Sequence, residues 1–430
     1  MDTKLSRRDF MKLSTTRMRN WAVSSALPSW MPRMAFAPDG VEPPGDLLVV
    51  IFQRGGMDGL NAVIPHGDAD YYHLRTQLAI AEPSAGNAKT GINLDGFFGL
   101  HPSLKPLKDL WDEKALAIVH AVGSPDPTHS HFDAMDYMER GTPGEKTIET
   151  GWIGRHLQSA PWQNTSPFRA IGMGGIMQES LRGPIPVTTL QSIADFHLQG
   201  DTSQLSEIRK RLELLYSLGG SLDATAKDTF DAVDLLSKVD ISHYTPTGNA
   251  QYPQTEYGTA LKQVAQIAKA DIGLEVACVD IGGWDTHNAE GATDGDMPKL
   301  LDELSSGLAA LYTDMGDRAK KMTMVTMSEF GRRAHENGSG GTDHGHGNCM
   351  FVVGGGVNGG KVYSQWPGLA PDKLYGPGDL NVTTDYRDVL AEIVAKRVKN
   401  QNLTQVFPDY TVAKTLGIVL SYDDSKRERL

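Results

Sequence analysis

Five short apolar runs punctuate the chain, at residues 47–52, 115–120, 274–279, 322–327 and 350–353. Each is only four to six residues long and lacks the alternation of a strand wetted on one face. Such runs read as strands buried on both faces, which is the pattern of a parallel sheet covered by helices. Helical periodicity fills the gaps between them, at 103–111, 130–140, 255–270 and 297–320. A last helix is expected over 384–399, with Thr384 as its cap. Strands alternating with helices predict an α/β fold with a doubly wound, mostly parallel sheet. Residues 202–238 differ: they read as two amphipathic helices broken at Gly219-Gly220, an inserted cap or helical hairpin. A linker-like loop follows at 246–253, which puts the whole insertion at about 202–253.

In sheets of this kind, ligands sit at the carboxyl ends of the strands, and the chemically capable residues fall there. Asp58 follows the first run. His120, Thr128, His129, Ser130 and His131 follow the second. Asp280, Asp285 and His287 follow the third, and Glu329 follows the fourth. The stretch Ser328-Glu329-Phe330-Gly331-Arg332-Arg333, then Gly341-Thr342-Asp343-His344-Gly345-His346, packs carboxylates, arginines and imidazoles into a glycine-rich loop. Side chains this costly to bury gather where a metal or an anion is held. Asp285 and His287, one residue apart beside Gly282 and Gly283, can both reach a single ion from a turn. The alternative is a turn cap and an exposed histidine. Asp343, His344 and His346 are the ligand candidates of the later loop, with Arg332 or Arg333 toward a substrate anion. Asp58 reads either as a metal-binding carboxylate, with Arg54 at an anion, or as one half of an Asp-Gly turn. Thr128 or Ser130 opens a helix. A hydroxyl there is an N-cap, or a nucleophile when a divalent metal lies beside it.

Composition narrows the class. The chain has 430 residues, 40% hydrophobic and 22% charged, with net charge −12 and pI near 5.5. That is a globular composition, and its acidity argues against a nucleic-acid surface and against anionic membranes. Cys278 and Cys349 each lie in an apolar run and read as two buried thiols rather than a disulfide. No later run is long enough to span a bilayer. The start, Ser6-Arg7-Arg8-Asp9-Phe10-Met11-Lys12, matches the twin-arginine export pattern, and Ala35-Phe36-Ala37 reads as a cleavage site. The apolar region between is interrupted by Arg17, Arg19 and Asn20. A signal peptide over 1–37 leaves a single domain over 38–430. Losing seven Lys/Arg and two Asp takes the charge from −12 to −17. A periplasmic or secreted protein is expected. The twin-arginine machinery carries folded chains, which suits one that takes up a cofactor before crossing.

Five ordered motifs resemble one family. They are Arg54-Gly-Gly-Met-Asp58-Gly-Leu-Asn61, Ser130-His-Phe-Asp-Ala-Met-Asp136-Tyr-Met-Glu139-Arg-Gly, Gly283-Trp-Asp285-Thr-His287, Ser328-Glu-Phe-Gly-Arg332 and Gly341-Thr-Asp-His344-Gly. Together they look like the DUF1501 family, grouped with the alkaline phosphatase/sulfatase superfamily, over 46–416. The resemblance implies a three-layer α/β/α fold and two divalent metals, zinc first, with manganese, calcium or magnesium as other candidates. It implies Asp58 as the first carboxylate, Ser130 or Thr128 as nucleophile, Asp285 and His287 as the middle pair and His344 as the last histidine. Where the superfamily has Asp-His at the fourth position, this chain has Ser328-Glu329. Glu329 then supplies one carboxylate, and the missing imidazole falls to His344, His346 or His335. The implied activity is hydrolysis of phosphate or sulfate esters on an anionic small molecule or polymer. The rival is a non-catalytic binding or assembly protein with a degenerate metal site.

Overall fold

The computed structural model describes residues 45–193, 232, 235–236, 243–412 and 415–421. The expected export segment and most of the expected helical insertion lie outside them. In chain order the strands are β1 (Leu47–Gln53), β2 (Val63–Ile64), β3 (Ile92–Asn93), β4 (Gly99–Leu100), β5 (Leu116–Gly123), β6 (Ala170–Met173), β7 (Thr188–Leu190), β8 (Val276–Ile281), β9 (Met322–Met327), β10 (Arg332–Glu336), β11 (Thr342–His344), β12 (Asn348–Gly354), β13 (Lys361–Tyr363) and β14 (Thr384–Asp385). The α-helices are α1 (Gly59–Ala62), α2 (Ala69–Leu74), α3 (Leu107–Asp112), α4 (His131–Arg140), α5 (Trp152–Ser159), α6 (Glu256–Lys269), α7 (Asp296–Met315), α8 (Tyr386–Lys396) and α9 (Leu403–Val406).

All five apolar runs become strands of one nine-stranded sheet, ordered β13-β5-β12-β9-β1-β8-β6-β7, with β14 beside β5. The central strand β1 pairs parallel with β8 and β9, Val50 lying opposite both Cys278 and Val325. Its period of two splits its side chains between two cores. Val49 and Ile51 pack with Leu261 and Val264 of α6 and Leu301 and Leu308 of α7. Leu48, Val50 and Phe52 pack with Met138 of α4, Ile153 of α5 and Leu390 of α8. Helices thus cover both faces, giving three layers, and this is why the runs are apolar throughout.

One strand departs from the parallel expectation. β12 is antiparallel to both β5 and β9. A parallel return from β9 needs a crossover connection, normally a helix. Residues 328–347 instead hold the small β10–β11 hairpin and no helix. The amino end of β12 therefore meets the carboxyl ends of its neighbours. Three smaller expectations also change. Asp385, not Thr384, caps α8, its Oδ1 accepting from Arg387 N at 2.8 Å, while Thr384 pairs with Val122 in the sheet. The helix expected over 297–320 turns 3-10 at Gly316, where φ is 53°. His120 lies within β5 and not at its end, buried, its Nε2 at 2.9 Å from Val63 O. Cys278 and Cys349 are free, buried thiols, on strands separated by β1 and β9. Among the described residues, no helix is long and apolar enough to cross a membrane.

The entry of β1 is tied to the end of α8 by a buried ion pair. Arg397 donates from Nε to Asp46 Oδ2 at 2.9 Å and from Nη2 to Oδ1 at 3.0 Å, and Thr323 Oγ1 donates to the same carboxylate. Burial pushes the Asp46 carboxyl above its usual range despite these partners. Removing one partner leaves a buried charge unanswered, so Arg397→Met is expected to cost about 3–5 kcal/mol. Urea unfolding checks this; a loss below about 1 kcal/mol, the range of an exposed pair, rules out the anchoring role.

Candidate metal centre

Four loops converge where the parallel strands end and β12 begins. The loop after β1 carries Gly55, whose N–H donates to Glu329 Oε1 at 2.8 Å. Gly55 adopts φ 125°, and a Cβ there would come 2.5 Å from Asp285 N, so glycine is required on both counts. Glu329, at the end of β9, is buried. Its Oε2 accepts from Ser328 Oγ at 3.1 Å, and its Oε1 lies 2.8 Å from His131 Nδ1. His131 is the first residue of α4, placed there by the N-cap Ser130, whose hydroxyl accepts from Asp133 N at 3.5 Å.

Three imidazoles are set in the same way. His131 turns Nδ1 to Glu329, His344 turns Nδ1 to His129 O at 2.9 Å, and His287 turns Nδ1 toward Asp343 Oδ1 at 3.4 Å. An Nδ1–H donated to these acceptors fixes the tautomer and leaves each Nε2 lone pair free, the arrangement of metal-ligating histidines. All three Nε2 atoms face one oxygen, Asp285 Oδ1, at 3.5 Å for His131 and 3.1 Å for His287 and His344. The His287 and His344 Nε2 atoms are 2.9 Å apart. Ligand atoms of His131, Asp285 and His344 all lie within 4.8 Å of one another. The Nε2 of His131 is buried without a hydrogen-bond partner, an orphan that a cation would answer. Three imidazole nitrogens and one carboxylate suit zinc. Phe330 packs beside His131 and His344, ring centroids 4.9 and 4.8 Å away, and gives the cluster an apolar floor.

Protonation follows from these contacts. Burial acts to raise the Asp285 carboxyl, but the hydrogen bond from Arg332, backed by its charge, leads the opposing effects, and the carboxyl is held at about 2. Burial lowers His344, keeping it neutral. His131 is raised, chiefly by its hydrogen bond to Glu329.

Arg332 is wholly buried beneath the cluster. Its Nε donates to Gly56 O at 2.6 Å, Nη1 to Thr342 O at 3.0 Å, and Nη2 to Gly55 O, to Trp284 O at 2.9 Å and to Asp285 Oδ1 at 2.7 Å. It positions the loops, and its complete burial leaves no open face for a substrate anion. Arg333 takes the opposite orientation. Its side chain is partly exposed, its Nε lies 3.9 Å from Asp379 Oδ1, and among the described residues no hydrogen bond engages its guanidinium.

Of the residues singled out from sequence, Asp285, His287 and His344 come together, with Glu329 and Asp343 behind two of the histidines. Thr128 and Ser130 lie beside the cluster, and Thr128 Oγ1 accepts from Ser130 N at 3.2 Å. Asp58 and His346 stand apart, and Arg54, beside the cluster, is taken up by carboxylates. Asp58 is fully buried in a two-pronged ion pair with Arg75, and it also caps α1. Against its burial, Arg75 keeps it ionised, while burial and the Asp58 charge drive the neighbouring Glu290 well above its usual range. His346 is buried and stacked on Tyr375 at 4.8 Å, and burial lowers it to about 4. Arg54 pairs with Glu139 and Asp280. His131 stands in the sequence among the chemically capable residues after the second run, but is not assigned there as a ligand. The signal for it is the pair Ser130-His131, where the hydroxyl at the helix start competes as the reactive group.

Fold and site together define an α/β protein with a histidine-rich cluster of metal-ligand character at its strand ends. The chain belongs to the family described as "Protein of unknown function (DUF1501)", whose model matches residues 46–399. None of the curated proteins compared with it matches. Among solved structures it is similar to the periplasmic domain of EcEptC from Escherichia coli in complex with Zn, at 10% identity and TM-score 0.37, covering 93% of this chain and 97% of that one. It is also similar to Ps i-CgsB in complex with k-i-k-neocarrahexaose, at 9% identity and TM-score 0.36, covering 86% and 75%. A third is the PsFucS1 sulfatase from Pseudoalteromonas sp., at 11% identity and TM-score 0.33, covering 88% and 72%.

The raised His131 makes a prediction for the metal-free protein. The Glu329–His131 pair stabilises the fold fully below the unfolded histidine value of about 6.5. That contribution is lost as the pH rises through the raised folded value. In NMR titrations His131 should titrate above 6.5, and in Glu329→Gln it should fall back. A His131 unmoved by Glu329→Gln would show that the pair does not set its protonation.

Proposed function

We propose that the protein is an exported, metal-dependent hydrolase of phosphate or sulfate esters. The observation that carries the reading is the convergence of three Nε2 atoms on Asp285 Oδ1, each histidine held from behind by an acceptor. His131, His287, His344 and Asp285 would hold a divalent cation, zinc by the nature of the donors, with manganese, calcium or magnesium as the other candidates. Bound there, the cation would supply Lewis-acid polarisation of the ester oxygen and lower the pKa of a hydroxyl beside it. Asp285 is held ionised by Arg332, and His344 is kept neutral by burial, as ligands must be. Ser130, one residue before His131 at the start of α4, is the hydroxyl placed as nucleophile, with Thr128 as the alternative. Arg333 offers the guanidinium that Arg54 and Arg332 cannot, and is assigned to the charge developing on the ester. Export rests on Arg7-Arg8 and the Ala35-Phe36-Ala37 site.

One observation favours the rival, a binding or assembly protein on the same fold. Two carboxylates expected at a second metal, Asp58 and Glu329, are engaged by protein donors. The reading is therefore restricted to one cation. Metal analysis of protein taken directly from its export compartment is expected to find about one equivalent. His344→Ala and Asp285→Ala should lose it while remaining folded. At a hundredfold excess over Kd, added metal should stabilise wild type by about 2.7 kcal/mol. If zinc, manganese, calcium and magnesium neither co-purify nor raise the melting temperature, the proposal fails. If metal binds and no phosphate or sulfate ester is turned over by wild type, while phosphate, sulfate and vanadate all fail to bind, the rival stands.

A further inference from the structure

Arg54 lies beside the cluster, and its surroundings do not suit an anion. Its Nη1 donates to Glu139 Oε2 at 3.0 Å and contacts Met135 Sδ at 3.4 Å. Its Nη2 donates to Glu139 Oε1 at 3.3 Å, and its Nε lies 3.0 Å from Asp280 Oδ2. Gln178 Nε2 donates to that same Asp280 oxygen at 3.3 Å. The guanidinium is almost fully engaged. Glu139 Oε1 also accepts from Ser180 N at 3.4 Å, but among the described residues Asp280 Oδ1 and Gln178 Oε1, both buried oxygens, have no donor, and Gln178 is only 4% exposed. One arginine against two carboxylates leaves a formal charge of −1. Arg54 and Asp280 are open to solvent, with 26% and 32% of their side chains exposed.

The group is also close to the histidines. Met135 and Glu139 follow His131 at one and two turns of α4 and share its face. One turn spans about 5.4 Å. Arg54 adjoins Gly55, whose N–H is bonded to the Glu329 oxygen that holds His131.

We infer that Arg54, Asp280, Glu139 and Gln178 form a second subsite of the same cleft, which takes the ammonium group of an amine-bearing substrate. Donors on the ligand fill the empty acceptors of Asp280 and Gln178, and its positive charge answers the net negative one. Arg54 holds the two carboxylates in place and touches no anion. The position of the ester at the histidines rests on the function proposed above; the polarity of the subsite does not.

The test reads the subsite without the metal. In protein labelled at methionine methyl carbons, the Met135 signal is assigned from Met135→Leu. Ethylammonium chloride should shift it saturably, against sodium chloride at equal ionic strength, and 1-propanol, of the same shape without charge, should not. Asp280→Asn, which keeps the shape, should abolish the response, and Gln178→Met should weaken it. No saturable shift, or an equal one in Asp280→Asn, overturns the inference. In zinc-loaded protein, 3-aminopropyl phosphate should bind on the order of tenfold tighter than butyl phosphate, a preference lost in Asp280→Asn. Equal binding of the two esters to wild type overturns the subsite while leaving the metal reading intact. A Met135 response to ethylammonium without binding of either phosphate supports the subsite and counts against the metal reading alone.

Discussion

The buried guanidinium of Arg332 is the interaction on which the site depends. Its donors reach the loop after β1 at Gly55 and Gly56, the loop after β8 at Trp284 and Asp285, and β11 at Thr342. These segments are far apart in sequence and have few regular hydrogen bonds of their own. Their buried carbonyls each need a donor, and an unanswered one costs about 1–3 kcal/mol. The rigid fork of an arginine serves several at once, which a lysine cannot reproduce. Arg332 therefore fixes where Asp285 sits, and Asp285 Oδ1 is the point on which the histidines converge.

The histidines are oriented by a layer behind them. Glu329 is the clearest case: the same oxygen that accepts from Gly55 N also faces His131 Nδ1, so the loop after β1 and the start of α4 are set by one carboxylate. Asp343 plays a similar part for His287 and is itself held by Asn337, whose Nδ2 donates to it at 3.1 Å. Close packing of backbone lets these parts meet. Gly331 lies directly against Gly347 O, where any side chain would collide. Gly341, Gly345 and Gly347 meet backbone in the same way, so most of the glycine density of 328–348 is a consequence of this approach.

Much of the architecture was legible because it rests on local rules. Apolar runs without alternation meant strands covered on both faces, and the five runs all lie in the sheet. The direction of β12 was less accessible. It depends on whether a helix fills the preceding gap, and the absence of helical periodicity over 328–347 was the available signal. In the site, Asp285, His287 and His344 were legible from their loops. Asp58 was not, because the residue that neutralises it, Arg75, lies in an unremarkable loop seventeen positions on. His131 was visible as a candidate but not as a ligand, because the residue after an N-cap reads as helix start. Arg332 and Arg333, adjacent in sequence, divide between a buried knot and a partly exposed guanidinium beside Asp379, and the β10–β11 pairing decides which is which.

The departure at Ser328-Glu329 and the burial of Asp58 are two sides of one electrostatic arrangement. A carboxylate deep in a protein must be paired or protonated. Asp58 is paired by Arg75, and burial with the Asp58 charge pushes the neighbouring Glu290 carboxyl well above its usual range. Glu329 is answered by Gly55 N–H, Ser328 Oγ–H and His131 Nδ1. Asp343 is answered by Asn337. Among these acids only Asp285, partly exposed and held ionised by Arg332, still faces a set of free imidazole lone pairs. The donor supply is thus that of one cation. The glutamate at position 329, expected as an unorthodox ligand, instead supports His131 from behind and leaves that imidazole as the candidate ligand in its place.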